Sequence, residues 1–114
     1  MRVIPGYIEE NSPPGERAVF SSLQNSARSG AAIHSLDLAP YNNNRRTEID
    51  FVIFIPEHGI LCVEVKSQKN IYFDGERWQP HSITGSPFKQ AMNARYAFYR
   101  RLKDRFQGRF NHIP

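Results

Sequence analysis

The spacing of apolar positions changes several times along the chain, and each change marks an element. In residues 12–30, "SPPGERAVFSSLQNSARSG", Val19, Phe20, Leu23 and Ala27 recur at helical spacing. Pro13, Pro14 and Gly15 at the start and Gly30 at the end predict a first helix with those four residues on its buried stripe. "AAIHSLDLAP" reads as a short strand, followed by the polar loop "YNNNRRT". "EIDFVIFIP" and "GILCVEVKS" are rich in β-branched and aromatic residues and predict two strands joined around Pro56–Gly59. Their nearly unbroken hydrophobicity implies a sheet covered on both faces.

"NIYFDGERWQP" predicts a small hairpin turning at Asp74-Gly75. "SPFKQAMNARYAFYRRLKDRFQG" predicts a long helix, with Ser86 as N-cap, Pro87 at the first helical position and Gly108 as the stop. Phe88, Met92, Tyr99, Leu102 and Phe106 form its expected apolar stripe. The order helix, three strands, hairpin, helix predicts an α/β fold with a sheet layered against at least one helix.

Composition narrows the class. A chain of 114 residues holds one core, so residues 1–114 are expected to form a single domain. No apolar run approaches the ~20 residues that span a bilayer, and the start, "MRVIPGYIEENSPPGE", lacks the apolar core of a secretory signal. A lone cysteine, Cys62, excludes an internal disulfide and multi-cysteine zinc sites. These features predict a cytoplasmic protein without membrane attachment. Residues 1–86 carry 8 Lys/Arg against 10 Asp/Glu, whereas residues 87–114 carry 7 against 1. A basic segment beside an acidic body fits a phosphate-backbone binder that also holds cations, although basic helices also serve solubility alone.

Three charges interrupt the best strands: Asp50, Glu64 and Lys66. Strand alternation puts Glu64 and Lys66 on one face, and a turn near residues 57 and 58 puts Asp50 opposite residues 64–66. Burying such charges without partners costs several kcal/mol, in the range of ~3–5 for an unpaired ion. One solution is an ion-pair cluster in which Lys66 neutralises one carboxylate. The other is a divalent-metal site in which Asp50 and Glu64 supply hard oxygen ligands to Mg²⁺ or Mn²⁺. Lys66 would then orient or deprotonate a water and stabilise charge on a phosphate. Glu16 heads the buried stripe of the first helix, as a dipole-complementing residue or as a third inward acid. Gln90, one turn into the long helix, is either a surface amide or part of the same centre. His34, His58, His81 and His112 show no ligand spacing, and Cys62 reads as a small buried hydrophobe. Tyr72, Phe73 and Trp78 read as hairpin packing, with base stacking as the alternative.

Gly15-Glu16, Glu48-Ile49-Asp50, Glu64-Val65-Lys66 and "SPFKQA" with Gln90 stand in an order and spacing that resembles the nuclease-related (NERD) domain. That family looks like a branch of the PD-(D/E)XK nuclease superfamily. The resemblance runs from about residue 13 to about residue 105, with a core expected over about 13–108. It implies a restriction-endonuclease-like core: a helix, a mixed sheet of three strands plus the hairpin, and a second helix. The superfamily core closes with a further strand, for which the residues up to Pro114 offer no candidate. Either that strand is absent or the chain is a fragment of a longer protein.

By the resemblance, Asp50 and Glu64 would ligate the metal, Lys66 would be the catalytic lysine, Glu16 would assist metal or water, and Gln90 would touch substrate phosphate or complete the site. Ile49 stands where the superfamily has proline, and Ala94 where related nucleases carry a tyrosine four positions after the helix glutamine. The implied activity is Mg²⁺- or Mn²⁺-dependent hydrolysis of phosphodiester bonds, in DNA rather than RNA, as in DNA processing or repair. Lys89, Arg95, Arg100, Arg101, Lys103 and Arg105 would hold the nucleic-acid backbone. The rival expectation is a non-catalytic binding module of a helicase- or kinase-linked protein. An open sheet edge would also invite homodimerisation.

Overall fold

The computed structural model describes residues 1–38 and 47–106. The elements run β1 (Arg2–Ile4), α1 (Pro14–Gln24), β2 (Ala31–Leu38), β3 (Thr47–Ile55), β4 (Gly59–Val63), β5 (Tyr72–Phe73), β6 (Trp78–Gln79) and α2 (Pro87–Phe106). A four-stranded sheet has the order β1-β2-β3-β4, and β5 and β6 form a separate two-stranded sheet. The fold is α/β, with two helices flanking a mixed sheet. Strand β1, unforeseen in the sequence, pairs parallel with β2 and makes the sheet mixed. Helix α1 supplies the crossover that parallel neighbours require.

Both faces of the sheet are covered. Phe20 of α1 packs with Val3, Ala32, Phe51 and Ile53, while Ala94 of α2 packs with Leu38, Ile49 and Val52. Phe51, Ile49 and Val52 are fully buried, each worth about 1.5–3 kcal/mol of transfer free energy. The unbroken hydrophobicity of β3 follows from this double burial.

Several expectations need correction. Helix α1 ends at Gln24, with Asn25 as its C-cap, so Ala27 lies outside it and is exposed. Gly30 is no helix stop but leads into β2: its φ of +130 suits glycine, and a Cβ there would stand 2.4 Å from the Phe54 carbonyl oxygen. Strand β4 stops at Val63, short of Glu64 and Lys66. In α2 the buried position is Ala94, with Ala97 and Phe98 beside it, whereas Phe88 is 73% and Met92 53% exposed. Small residues let the helix lie close on the sheet, Phe98 packs beside them against Phe54, and Phe88 and Met92 turn outward. Ser86 does cap α2, accepting the Lys89 N–H at 3.3 Å. Most of the polar loop after β2 (residues 41–46), Gly108 and His112 lie outside the described residues.

One feature of the sheet positions the acidic residues. Ile49 and Phe51, two apart, would share a face in a regular strand, yet they belong to cores on opposite faces. The same switch occurs across the ladder, between His34, edge-on to Phe20 and tilted against Phe51, and Leu36, packed with the α2-side core. The ladder pairs His34 with Phe51 and Leu36 with Ile49 but skips the Ser35–Asp50 pair between them. Ser35 there has φ 54, in the left-handed region uncommon for a side-chain-bearing residue. Asp50 thus sits where the sheet changes hands between its two helices.

Candidate active site

The ladder of β3 and β4 ends at the pair Phe51↔Val63, so the next position places Asp50 against Glu64. Pairing stops there because the Asp50 side chain takes over: its Oδ2 accepts the Val65 N–H at 2.8 Å. The chain from Glu64 to Gln68 is thereby carried past the sheet without ladder bonds. It is pinned at two further points. Ser67 Oγ accepts the Gly15 N–H at 3.0 Å, and Gln68 Nε2 donates to Ser82 Oγ at 3.3 Å. The first contact caps α1 from outside. Pro13 offers no side-chain cap, and a serine more than fifty residues away satisfies a free N–H of the first turn.

Gly15 is required for that approach. A Cβ on it would meet Ser67 Oγ at 2.7 Å and Val65 Cγ1 at 2.9 Å. With only hydrogen there, the first turn of α1 reaches the segment after β4 and delivers Glu16 to Asp50. Three carboxyl groups then form a chain, with Asp50 hydrogen-bonded to both Glu16 and Glu64. Burial, then the Asp50 charge, then their hydrogen bond push the Glu64 carboxyl up from the ordinary 4.5 to about 7. Lys66 and the Asp50 backbone N–H oppose that rise without overcoming it. Burial also raises Glu16, followed by the charges of Asp50 and Glu48, with His34 opposing.

The structure therefore brings Glu16, Asp50, Glu64 and Lys66 together. Gln90 is half-buried on α2, its amide nitrogen beside Gly85, and its Oε1 is buried without a hydrogen-bond partner among the described residues. Of the basic residues, Lys89, Arg95, Arg100, Lys103 and Arg105 are exposed on α2 and Arg101 is half-buried. Arg95 reaches towards β4: its charge and that of Glu64 both act on the Cys62 thiol, which burial pushes up. A raised thiol pKa suits a buried hydrophobe rather than a nucleophile.

Residues that sequence reasoning did not assign also shape the centre. Glu48 adds its charge to Glu16, and Ser67 and the Val65 N–H fix the segment that carries Lys66. His34 is buried, and its Nε2 donates to the Pro5 and Tyr7 carbonyls at 3.1 and 3.0 Å. Its Nδ1 lies 3.3 Å from Ser35 Oγ. Histidine 34 thus anchors the N-terminal loop and braces the strained Ser35. No spacing in the sequence signalled Ser35 or Ser67; Gly15 beside Glu16 was the one visible hint.

The donor set suits a hard divalent cation. Two carboxylates that cannot both ionise cheaply at neutral pH are relieved by a positive ion between them. Among the described residues, no group of three His, Cys, Asp or Glu side chains stands ready as a complete ligand array. No helix among the described residues is long and apolar enough to cross a membrane.

The chain matches no protein of curated function and no solved structure. It does match a family model over residues 13–113, a span that takes in Glu16, Asp50, Glu64, Lys66 and Gln90, and on that match the chain belongs to the nuclease-related domain family, NERD.

Proposed function

We propose that this nuclease-related domain is a metal-dependent nuclease that hydrolyses phosphodiester bonds in nucleic acid, DNA being the preferred substrate. One observation carries the reading: Asp50 and Glu64 face each other with Glu64 raised to about 7, and Lys66 beside them does not cancel the conflict. Burial is the largest cause of that rise and the Asp50 charge the next, so the centre holds more negative charge than Lys66 offsets. Asp50 and Glu64 would hold Mg²⁺ or Mn²⁺, with Glu16 as a third carboxyl through Asp50. Such an ion supplies Lewis acidity at the phosphate and a more acidic water.

The protein's own groups divide the remaining work. The Val65 N–H bonds Oδ2 and so fixes the orientation of the Asp50 carboxylate. The Lys66 ammonium stabilises negative charge building on the phosphate oxygens. Glu16, whose carboxyl is raised first by burial and then by the Asp50 charge, would be the third acid available to a water at the centre. Gln90 Oε1, an acceptor lacking a donor, suits a water or substrate hydroxyl. Exposed Lys89, Arg95, Arg100, Lys103 and Arg105, with Arg101, hold the phosphate backbone without reading bases. The outer strand β4, with Ile60 and Leu61 exposed, supports pairing with a second copy.

The deciding experiment incubates the purified chain with single-stranded and duplex DNA and RNA in Mg²⁺ or Mn²⁺, beside folded Lys66→Ala and Asp50→Asn proteins. Cleavage lost in both variants supports the reading; no cleavage of any substrate by the wild type refutes it. A non-catalytic nucleic-acid module is the second reading, favoured by the incomplete ligand array. It predicts salt-dependent binding that survives Asp50→Asn and ignores metal.

A further inference from the structure

The hairpin and the start of α2 present aromatic surface that the carboxylate centre does not use. Trp78 lies between Phe73 and Phe88, with ring centroids 5.6 and 5.7 Å away. The flanking rings are largely in solvent, Phe73 54% and Phe88 73% exposed. The row continues along α2, where Met92 and Tyr96 stand one and two turns beyond Phe88 and are also exposed. Large exposed apolar rows of this kind mark interaction surfaces.

Beside Trp78 opens a cleft of about 390 Å³, lined by Glu76, Arg77, Trp78, His81, Thr84 and Gly85. Its loop is tied to the carboxylate centre: Ser82 accepts from Gln68, two residues past Lys66.

We propose that this aromatic row and cleft form a stacking platform for the bases of single-stranded nucleic acid, leading the strand to the Lys66 side of the centre. The ligand class rests on the nucleic-acid reading above; the platform does not depend on cleavage. Three considerations select the occupant. Residues 66–106 carry nine Lys/Arg against three Asp/Glu, a charge that complements phosphate. Aromatic and basic residues interleave, as in Phe88-Lys89, Arg95-Tyr96 and Tyr99-Arg100, and Lys103 Nζ lies 6.0 Å from the Tyr99 ring centre. Base faces stack on such rings whatever the sequence, and a duplex keeps its base faces covered. A second copy of this chain, docked by the same patch, would oppose Lys89 and Arg95 to themselves.

Trp78 is the only tryptophan, so its fluorescence reports on the platform alone. The full chain in EDTA is titrated with oligothymidylate and with a duplex of equal length. Single-strand binding with Trp78 quenching, tighter than duplex binding and weakened about tenfold or more in Phe88→Ala, supports the platform. Phe73→Ala, at a second exposed ring, weakens it likewise. Duplex binding as tight as single-strand binding, no quenching, unchanged affinity in both variants, or a dimer that Phe88→Ala dissociates overturns it. Cleavage assays separate the two readings: a duplex nuclease that needs Asp50 and Lys66 but not Phe88 would sink the platform and leave the nuclease standing.

Discussion

Replacing Asp50 by asparagine removes a charge while leaving an acceptor for the Val65 N–H, so it isolates the electrostatic conflict at the centre. At pH 8, above the value of about 7 to which Glu64 is raised, the Glu64 charge faces the Asp50 side chain unrelieved by metal. Raising Glu64 from 4.5 to about 7 corresponds at face value to ~3.4 kcal/mol, at 1.36 kcal/mol per unit. Burial is the largest cause and survives the substitution, and the site is partly open to solvent, which screens the rest. The share owed to Asp50 is therefore about 1 kcal/mol. Asp50→Asn is expected to raise the melting temperature in EDTA at pH 8 by about 4 °C for a domain of this size.

Asp50→Ala removes the acceptor too. It strands the Val65 N–H at a cost of ~1–3 kcal/mol, offsetting or reversing the gain. Saturating Mn²⁺ should invert the order of wild type and Asp50→Asn, because an ion at 100 times its Kd stabilises the wild type by about 2.7 kcal/mol and has lost a ligand in the variant. Thermal melts of the three proteins with EDTA and with Mn²⁺ test the whole scheme. Should Asp50→Asn melt below the wild type in EDTA at pH 8, the carboxylate is a net favourable partner of Lys66 and the metal argument fails.

The raised Glu64 pKa also sets a pH dependence. Stability owed to its neutral form is complete below its unfolded value near 4.5 and is lost as pH rises through about 7. Melts in EDTA should therefore fall between pH 5 and 8, and Glu64→Gln should flatten that slope. Gly15→Ala forces the first turn of α1 away from Val65 and Ser67; about tenfold weaker Mn²⁺ binding by titration is expected, with the sheet intact by circular dichroism. Lys66→Met should reduce cleavage at least ~100-fold, as removal of a transition-state charge stabiliser does, while Mn²⁺ still raises the melting temperature. His34→Phe leaves the Pro5 and Tyr7 carbonyls without their donor and should cost about 2 kcal/mol, with faster amide exchange across residues 2–8.

The parts of the fold legible in the sequence were those that local chemistry decides. Double burial of β3 showed in its unbroken apolar run, and Ser86-Pro87 marked where α2 begins. What stayed hidden depends on contacts across the chain. Strand β1 is three residues long, too short for its alternation to register, and it exists because β2 offers an edge. Of the expected α2 stripe, Tyr99 and Leu102 are half-buried but Phe88 and Met92 are exposed, because hydrophobicity ranks them above Ala94 whereas close packing on a sheet favours alanine. Nothing local explains the outward phenylalanine; a surface with its own partner does.

The candidate centre shows the same division at finer scale. Period two and a short turn are enough to bring Asp50 and Glu64 face to face, and helical spacing is enough to turn Glu16 inward. Neither rule reveals that the strands switch faces at Ser35 and Asp50, and that switch gives the cluster its character. An aspartate on a regular strand would point into one core or the other, where a carboxylate finds no partner. At the switch its side chain instead lies between the two cores, bonded to Val65 N–H on one side and within reach of Glu16 and Glu64. The strained φ of Ser35, braced by His34, maintains that placement. Relaxing Ser35 with glycine should therefore preserve the sheet and loosen the carboxylates, so metal affinity would fall before stability does.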